Sequence, residues 1–479
     1  MNLIRPKWVE RVTVEPMLFL YFITLAISAL VGTNLILRKG CDETATVQPA
    51  DLREKCLNEA YAQALVTKIQ TWKLTIQYAV PLIFILFAGP WSDTHGRRRR
   101  PLMFIPIAGQ LLTDMFNVLN VYYWYWPPAV AAIFECLIPA LTGSRICCVV
   151  GVASYVADNT KVEDRTKRIG ILMSLYFIAT PIGACAAGFL NLNIGFYGTF
   201  LACIMLNCIS LALGVLMIKD TSVPYEKASI WQTINPKVVT DSMKILIKKR
   251  PRRSLLIYMT IVSPLTVGPM QGEYSILYLF VRYKFGWNEI DYSLYAAYKM
   301  TGILIGTVIA IWLMSVKLKM HDAAIGFIGS SFDLVAAICY SFVTKPWQLY
   351  AVPLIDVFHG AAFTVSSSMA SKLVDNTELA QLNSVRGMLE TLAPIIVYPL
   401  YNQVYKLTFE TLPGAFFLIT AAITVPVVIL FGLTYKADMQ GSIFKNNNNE
   451  VENQKKDENM DACNNIIKDE HYKATMNTA

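Results

Sequence analysis

The stretch Gly-Pro-Trp-Ser-Asp-Thr-His-Gly-Arg-Arg-Arg-Arg-Pro, residues 89–101, decides the fold. It lies between two apolar runs, 74–91 and 102–113, that contain no charged residue. Runs of this kind predict helices that cross a membrane. Four adjacent Arg residues are too costly to bury in hydrocarbon, so they predict a short turn on the cytoplasmic side.

The composition agrees with a membrane protein. Of the 479 residues 54% are hydrophobic and 16% are charged, whereas soluble domains carry about 25% charged residues. The net charge of +8 does not predict nucleic-acid binding, because the basic residues lie in short segments between apolar runs. The first run, 17–37, is too long for a signal peptide and follows the acidic Glu15, so we expect no cleaved leader.

Twelve apolar runs predict an all-α membrane protein with twelve transmembrane helices. One set of loops, with the N-terminus, holds more than twice as many Lys and Arg residues as the opposite set. The positive-inside rule therefore places both termini in the cytoplasm. The expected spans are 17–37, 74–91, 101–121, 129–157, 169–190, 196–218, 254–281, 293–316, 323–344, 347–371, 387–405 and 412–435.

A short internal repeat predicts two related halves. Residues 153–160 and 370–377 share five of eight amino acids and close the fourth and tenth expected spans. Duplicated six-helix units are common among transporters. We expect an N-terminal half at 1–218 with a long outer loop at 38–73, a basic cytoplasmic linker at 219–253, and a C-terminal half at 254–436. The polar segment 437–479 is expected to be a disordered cytoplasmic tail.

The spacing within 89–101 resembles the loop signature of the major facilitator superfamily of transporters. The matching residues are Gly89, Asp93, Gly96, Arg97 and Arg98. In that family this loop acts as a cytoplasmic latch between the two halves, and the resemblance implies the same role here. A plain basic stop signal between two spans is the alternative interpretation.

Further stretches resemble solute carrier family 46, the proton-coupled folate transporter group. They are the sequence VEPMLF at 14–19, Trp72, SYVAD at 154–158 with RTKR at 165–168, and SKLV at 371–374. The chain departs from the folate transporter at two functional positions, where Met173 replaces a Glu and Ser367 replaces an Arg. No Cys occurs at 282–292. These departures weigh against folate as the substrate.

Ionisable residues inside the expected spans are functional candidates, because burying them is costly. The resemblance implies that helices 1, 4, 7 and 10 line a central cavity, whereas Asp114 and Asp333 on helices 3 and 9 are interpreted as structural. Arg145 is expected to hold an anion bidentately, or to pair with Glu135. The substrate and coupling candidates are Glu135, Arg145, Gln271, Glu273, Asp356, His359 and Glu390.

Two of these candidates share one helix face. Asp356 and His359 are three residues apart, and a His beside a carboxylate is a plausible proton carrier. A purely structural His bonded to Asp356 is the alternative. Two ligands do not make a metal site, so none is predicted. Pro264, Gly268, Pro269 and Gly272 are expected to interrupt the seventh helix and expose Gln271 and Glu273 to the cavity.

The first outer loop holds Cys41 and Cys56, which predict a disulfide if the loop faces an oxidising compartment; two separate thiols are the alternative. The other cysteines are mostly expected inside spans as small apolar side chains.

The function predicted from these features is secondary active transport of a small organic solute, an organic anion moved together with protons by alternating access. An uncoupled facilitator and a transporter-like receptor are the alternatives. A membrane enzyme is disfavoured because His359 is the only His within a span and no nucleophile motif accompanies it. No nucleotide-binding motif occurs, so neither an ATP-driven pump nor a cofactor is predicted.

Overall fold

A computed structural model describes residues 14–42, 44–48, 56, 58–94, 98–160, 162–218, 246–248, 252–374 and 378–437. The secondary-structure elements within these ranges are helices. They are α1 (Glu15–Cys41), α2 (Glu59–Thr94), α3 (Arg100–Tyr122), α4 (Pro128–Thr142), α5 (Ser144–Asn159), α6 (Val162–Met217), α7 (Arg253–Phe285), α8 (Glu289–Ala310), α9 (Asp322–Ser341), α10 (Pro346–Ile355), α11 (His359–Lys372), α12 (Leu379–Thr408) and α13 (Ala415–Ala437). A π-helix, Ile311–Lys317, continues α8, and a 3-10 turn, Asp356–Phe358, joins α10 to α11.

Nine helical segments in the described part of the chain are long and apolar enough to cross a membrane. One of them, Ser174–Met217, is divided at Gly195, where φ is 67° and the backbone is not helical. The helices α2 and α12 are not among these nine; they coincide with the second and eleventh expected spans. Together these segments match the twelve expected spans in order, although the number that cross a membrane stays a prediction.

The expected outer loop, 38–73, is helical at both ends. Helix α1 extends to Cys41, and α2 already begins at Glu59. The sequence pattern missed the first turns of α2 because their polar side chains face the protein interior. Gln63 donates to the carbonyl of Leu279 at 3.3 Å, and Lys73 pairs with Glu135.

The predicted interruption of the seventh helix is also wrong, because α7 is continuous through Pro264 and Pro269. Two glycines of α7 instead allow this helix to pack closely against α12. A Cβ at Gly268 would lie 3.1 Å from Val397 on α12, and one at Gly272 would lie 2.7 Å from the same side chain. Helices inside a membrane protein tolerate proline when neighbouring elements hold them in place.

Helices of the first half of the chain pack on helices of the second half. Helix α1 lies along α6, and α7 lies along α12, while α6 also packs on α8 and α2 on α12. A disulfide joins Cys41 at the end of α1 to Cys56, with 5.3 Å between the Cα atoms. The face of the bundle that carries this bond is called the disulfide face below.

Most of the expected linker, 219–253, and of the expected tail, 437–479, lies outside the described residues. Within the linker the structure describes 246–248 and 252–253, and Lys248 there contacts Glu378 beside α12, with 2.5 Å between Nζ and Oε1.

Candidate functional site: a central cavity and buried charge clusters

A cavity of about 250 Å³ lies among helices α1 to α8 and α12. Its wall is unusually rich in tyrosine, and it also contains amide and charged groups. Polar and aromatic residues that line it include Phe22, Lys73, Tyr78, Asn117, Glu135, Arg145, Tyr176, Gln271, Tyr274, Tyr278, Tyr292 and Tyr398. Such a wall offers apolar ring faces together with a few directed polar groups, as binding sites for organic molecules do.

Arg145 enters this cavity from a break between α4 and α5. Gly143 has a positive φ of 87° and ends α4, and Arg145 follows in the first turn of α5. Its guanidinium lies over the ring of Tyr176, with 4.6 Å from Cζ to the ring centroid. No carboxylate pairs with Arg145 among the side chains that the structure describes. The alternative pairing with Glu135 is therefore wrong.

Glu135 pairs instead with Lys73, a residue that the sequence pattern placed outside the second span. Both side chains are buried and both line the cavity. Asn117 donates a further hydrogen bond to Glu135, at 3.3 Å. Lys73 was missed because its basic charge favours the end of a span, and only the helix rotation shows that it faces inward.

Gln271 and Glu273 lie on the same part of α7 but have different surroundings. Gln271 lines the cavity and accepts a hydrogen bond from Tyr398 at 3.2 Å. Glu273 forms an ion pair with Lys299 on α8, at 3.2 Å, and accepts a hydrogen bond from Thr420 at 2.7 Å. Gln271 therefore faces the cavity, whereas Glu273 forms an ion pair that links α7 to α8.

His359 is held between two carboxylates. Its Nδ1 lies 2.8 Å from Asp333 on α9 and 3.3 Å from Asp356 in the 3-10 turn. Sequence reasoning found the pair with Asp356 but not Asp333, which it interpreted as structural. The ligand atoms of the three residues lie within 4.8 Å of one another. Two carboxylates beside an imidazole form a site that stabilises a positive charge. A proton shared among the three groups would supply that charge.

Glu390 belongs to a third cluster, on α12 and α7. Ser263 donates to Glu390, and Arg386 lies 3.8 Å from the same carboxylate oxygen. Arg386 also donates to the Ser263 hydroxyl at 3.1 Å. The sequence pattern placed Arg386 in a loop, yet it is buried in the second turn of α12.

The expected latch is only partly described. Gly89 and Asp93 belong to the last turns of α2, whereas Gly96 and Arg97 lie outside the described residues. Ser92 donates to the carbonyl of Arg98 at 2.7 Å, and Arg99 pairs with Asp158 at the end of α5, at 2.8 Å. The loop is thereby joined to the fourth expected span as well as to its own two helices.

A helical bundle with a central polar and aromatic cavity defines a membrane transporter of small molecules. The family model of the Major Facilitator Superfamily matches residues 57–398. The chain belongs to the major facilitator superfamily, and both the family resemblance and the all-helical fold class are confirmed. Its relatives and structural neighbours are transporters and not enzymes.

Relatives from solute carrier family 46 are similar over most of the chain. The lysosomal proton-coupled steroid conjugate and bile acid symporter of Gallus gallus is 24% identical, over 87% of this chain and 92% of that protein. The "probable peptidoglycan muropeptide transporter" of Drosophila melanogaster is 22% identical, over 81% of this chain and 76% of that protein. The chain therefore resembles this family of solute carriers.

Two solved structures show the same fold at low identity. The human organic anion transporter MFSD10 superposes with a TM-score of 0.58 at 16% identity, covering 89% of this chain and 100% of that one. A peptide transporter of the POT family in complex with sulfate gives a TM-score of 0.58 at 16% identity, covering 88% and 94%.

Proposed function

We propose that this chain is a secondary active transporter that moves an organic anion together with protons. The observation that carries this proposal is Arg145, a guanidinium in the cavity wall that no described carboxylate neutralises. Transport would occur by alternating access of two halves, 1–218 and 254–436, joined by the cytoplasmic linker 219–253 and followed by the cytoplasmic tail 437–479.

The charges in the cavity wall favour an anion. Lys73 and Glu135 neutralise each other, so Arg145 leaves a single positive charge facing the solute space. A guanidinium deep in a membrane protein is costly without a counterion, and its planar fork binds carboxylate, sulfate or phosphate through two hydrogen bonds. A solute with one such group would complete the site.

The aromatic wall favours an organic rather than an inorganic anion. Tyr78 and Tyr398 lie with 5.2 Å between ring centroids, and Tyr176 stacks on Arg145, so ring faces surround the anion site. Aromatic faces bind apolar bodies and leave the tyrosine hydroxyls for orientation. The relative named for steroid conjugates and bile acids handles anionic solutes with a large apolar body, which supports the same solute class here.

The proton is proposed to bind at His359 and Asp356, with Asp333 as a third member of the cluster. Imidazole is the side chain used most often as a proton carrier near neutral pH, and the two carboxylates beside His359 are further acceptors for the proton. The relative's name includes proton coupling and a lysosomal location. We therefore propose an endolysosomal or plasma membrane, with both termini cytoplasmic as the loop charges indicate.

The experiment begins with an untargeted metabolite comparison of vesicles with and without the protein. Uptake of the solute found is then measured from about pH 5.5 to about pH 7.5, the range in which an imidazole titrates. Uptake should rise toward the acidic end. Arg145→Ala should abolish binding, and Arg145→Lys, which keeps the charge but not the fork, should restore it only in part.

His359→Ala should flatten the pH dependence. His321→Ala, at an exposed position before α9, is the matched control and should leave it unchanged. If His359→Ala keeps the full pH response, Glu135, Glu273 or Glu390 carries the proton instead. Wild-type transport that ignores the proton gradient would make the protein a facilitator, and binding without net solute movement would make it a receptor.

A further inference from the structure

A buried ion pair forms part of the cavity wall. Lys73 donates to Glu135, and both side chains line the same cavity as Arg145 although only 6% and 7% of their surface is exposed. Asn117 donates to the second oxygen of the carboxylate, at 3.3 Å. Glu135 is thus within reach of a solute and already matched by a cation.

The backbone of α1 makes room for this carboxylate. A Cβ at Gly32 would lie 2.0 Å from Oε1 of Glu135, closer than any side chain tolerates. With glycine at position 32 the carboxylate packs against the backbone of α1, and Glu135 is enclosed by α1, by Lys73 of α2 and by Asn117 of α3. The pair is therefore a built site in the wall and not a chance contact of flexible side chains.

The ion pair and Arg145 lie at different levels of the cavity. Tyr78 is within electrostatic reach of Arg145, and Lys73 precedes it by five residues on α2. A helix rises about 1.5 Å per residue, so Lys73 lies about 7–8 Å from that level along the axis. It lies toward the disulfide face, where α2 begins. The cavity wall therefore has two basic groups. Arg145 has no carboxylate partner among the described side chains, and Lys73 is paired with Glu135.

Building on the proposed function, we propose that Lys73 is a second anion site and that Glu135 is its resting counterion. The favoured solutes are then organic dianions with an acidic group at each end of an apolar body. One acidic group binds Arg145. The other replaces Glu135 on Lys73.

The replacement has a proton balance. A buried carboxylate that loses its cation is strongly disfavoured. Glu135 therefore takes up one proton from a hydronium ion of the water that enters with the solute, so that one O–H bond forms on Glu135 and one breaks in the hydronium. A dianion should then carry one more proton into the protein than a monoanion, so that the net charge moved is the same for both.

The groups around Glu135 are consistent with this step. Lys73 faces it from α2, Asn117 and Asp114 from α3, and the Cys136 thiol is its neighbour on α4. Asp114 already accepts hydrogen bonds from three side chains. The Asp114 carboxyl group therefore keeps its own partners, and Glu135 is the group that loses its cation when the solute binds Lys73.

Two rigid probes test the proposal on the purified full-length protein. Estrone sulfate is a monoanion, and estradiol disulfate is a dianion with one sulfate at each end of the same skeleton. The sulfate groups of both probes stay ionised at any pH used. A proton taken up on binding is therefore bound by the protein and not by the probe. Binding is followed by ligand-induced thermal stabilisation, and proton uptake by an indicator dye in weak buffer.

Wild-type protein should bind the disulfate about tenfold more tightly than the monosulfate and take up one more proton with it. Glu135→Gln should bind the disulfate without the additional proton. Lys73→Met with Glu135→Gln removes both charges together, so neither is left buried alone, and should abolish the preference. Lys406→Met, at an exposed position in the last turn of α12 and not among the cavity-lining residues, is the control and should keep both effects.

Equal proton uptake with the two probes, an additional proton that persists in Glu135→Gln, or no binding of the disulfate would each overturn the second anion site. If estrone sulfate is still transported in an Arg145-dependent way, the proposed function stands while this inference fails. Transport of both probes that does not depend on Arg145 would reject both.

Discussion

Arg282 of α7 bonds Glu59 in the first turn of α2, with 3.0 Å between Nε and Oε1. The pair connects the N-terminal half to the C-terminal half at the disulfide face, where Glu59 is three residues beyond Cys56. Arg282 also donates to Tyr278 at 3.2 Å, and Tyr278 in turn donates to Asn34 of α1 at 3.0 Å. Asn34 donates to Glu289 of α8. Because Tyr278 also lines the cavity, we infer that these bonds close the cavity on the disulfide face.

Weakening this closure should open the cavity toward the proposed outer side. Glu59→Gln leaves the buried Arg282 with only the more distant carboxylate of Glu289, at 3.9 Å, and we expect a shift of about 1–2 kcal/mol, or about 5- to 30-fold, toward the open state. The measurement is the labelling rate of Thr33→Cys, in the cavity wall, by an impermeant thiol reagent.

The charge reversal Glu59→Arg with Arg282→Glu should restore slow labelling. Glu410→Gln, at an exposed position between α12 and α13, provides the matched control. An unchanged labelling rate in Glu59→Gln would show that this pair does not hold the cavity closed.

Asp93 is predicted to stabilise the state that is open on the disulfide face, as its place in the loop signature implies. Its neighbours join α2 to α5, since Arg99 contacts both Ser92 and Asp158. Asp93→Ala should abolish transport and leave surface expression largely intact, whereas Thr94→Ala next to it should transport normally. Normal transport by a well-expressed Asp93→Ala protein would contradict the latch role.

The disulfide between Cys41 and Cys56 should be present in the mature protein. Mass spectrometry of non-reduced peptides should find the two linked, and alkylatable thiols at both positions would contradict it. Closing a loop of this length stabilises by about 3 kcal/mol in the chain-entropy model. Cys56→Ser should therefore lower the melting temperature, while Cys208→Ser, an exposed free cysteine, should not.

The sequence predicted the membrane class and the order of the spans because uncharged runs are a property of composition. It failed where a polar side chain is buried by a neighbouring helix. Lys73 and Arg386 both look like loop residues, yet each lies inside a helix and contacts an acidic partner. Whether such a residue ends a helix depends on which face of the helix meets the rest of the bundle, and hydropathy contains no such information.

Ion pairs between residues distant in the sequence could not be predicted from it either. Asp333 and His359 are separated by a loop and a helix, and only the packing of α9 on α11 and the 3-10 turn brings them to 2.8 Å. Asp356 was found because three residues along one segment share a face. The charged residues could therefore be listed from the sequence, but their pairing required the structure.

Gly306 of α8 lies against the 3-10 turn that carries Asp356. A Cβ at this position would be 2.2 Å from the carbonyl oxygen of Val357, a backbone atom that cannot rotate away. Gly306→Ala must therefore displace the turn, which we expect to cost about 1–3 kcal/mol, as overpacking in a core does. Because Asp356 moves with Val357, the same change should also alter the pH dependence of transport.

Gly302, one turn earlier on the same helix, is the matched control, because a Cβ there would meet no heavy atom within 4 Å. Gly302→Ala should leave transport unchanged and raise stability by about 0.5–1 kcal/mol, the usual gain of alanine over glycine inside a helix. Thermal unfolding of both variants in the same detergent measures the difference. Equal melting temperatures would show that α8 does not press on the turn, and would remove the expected link between Gly306 and the pH response.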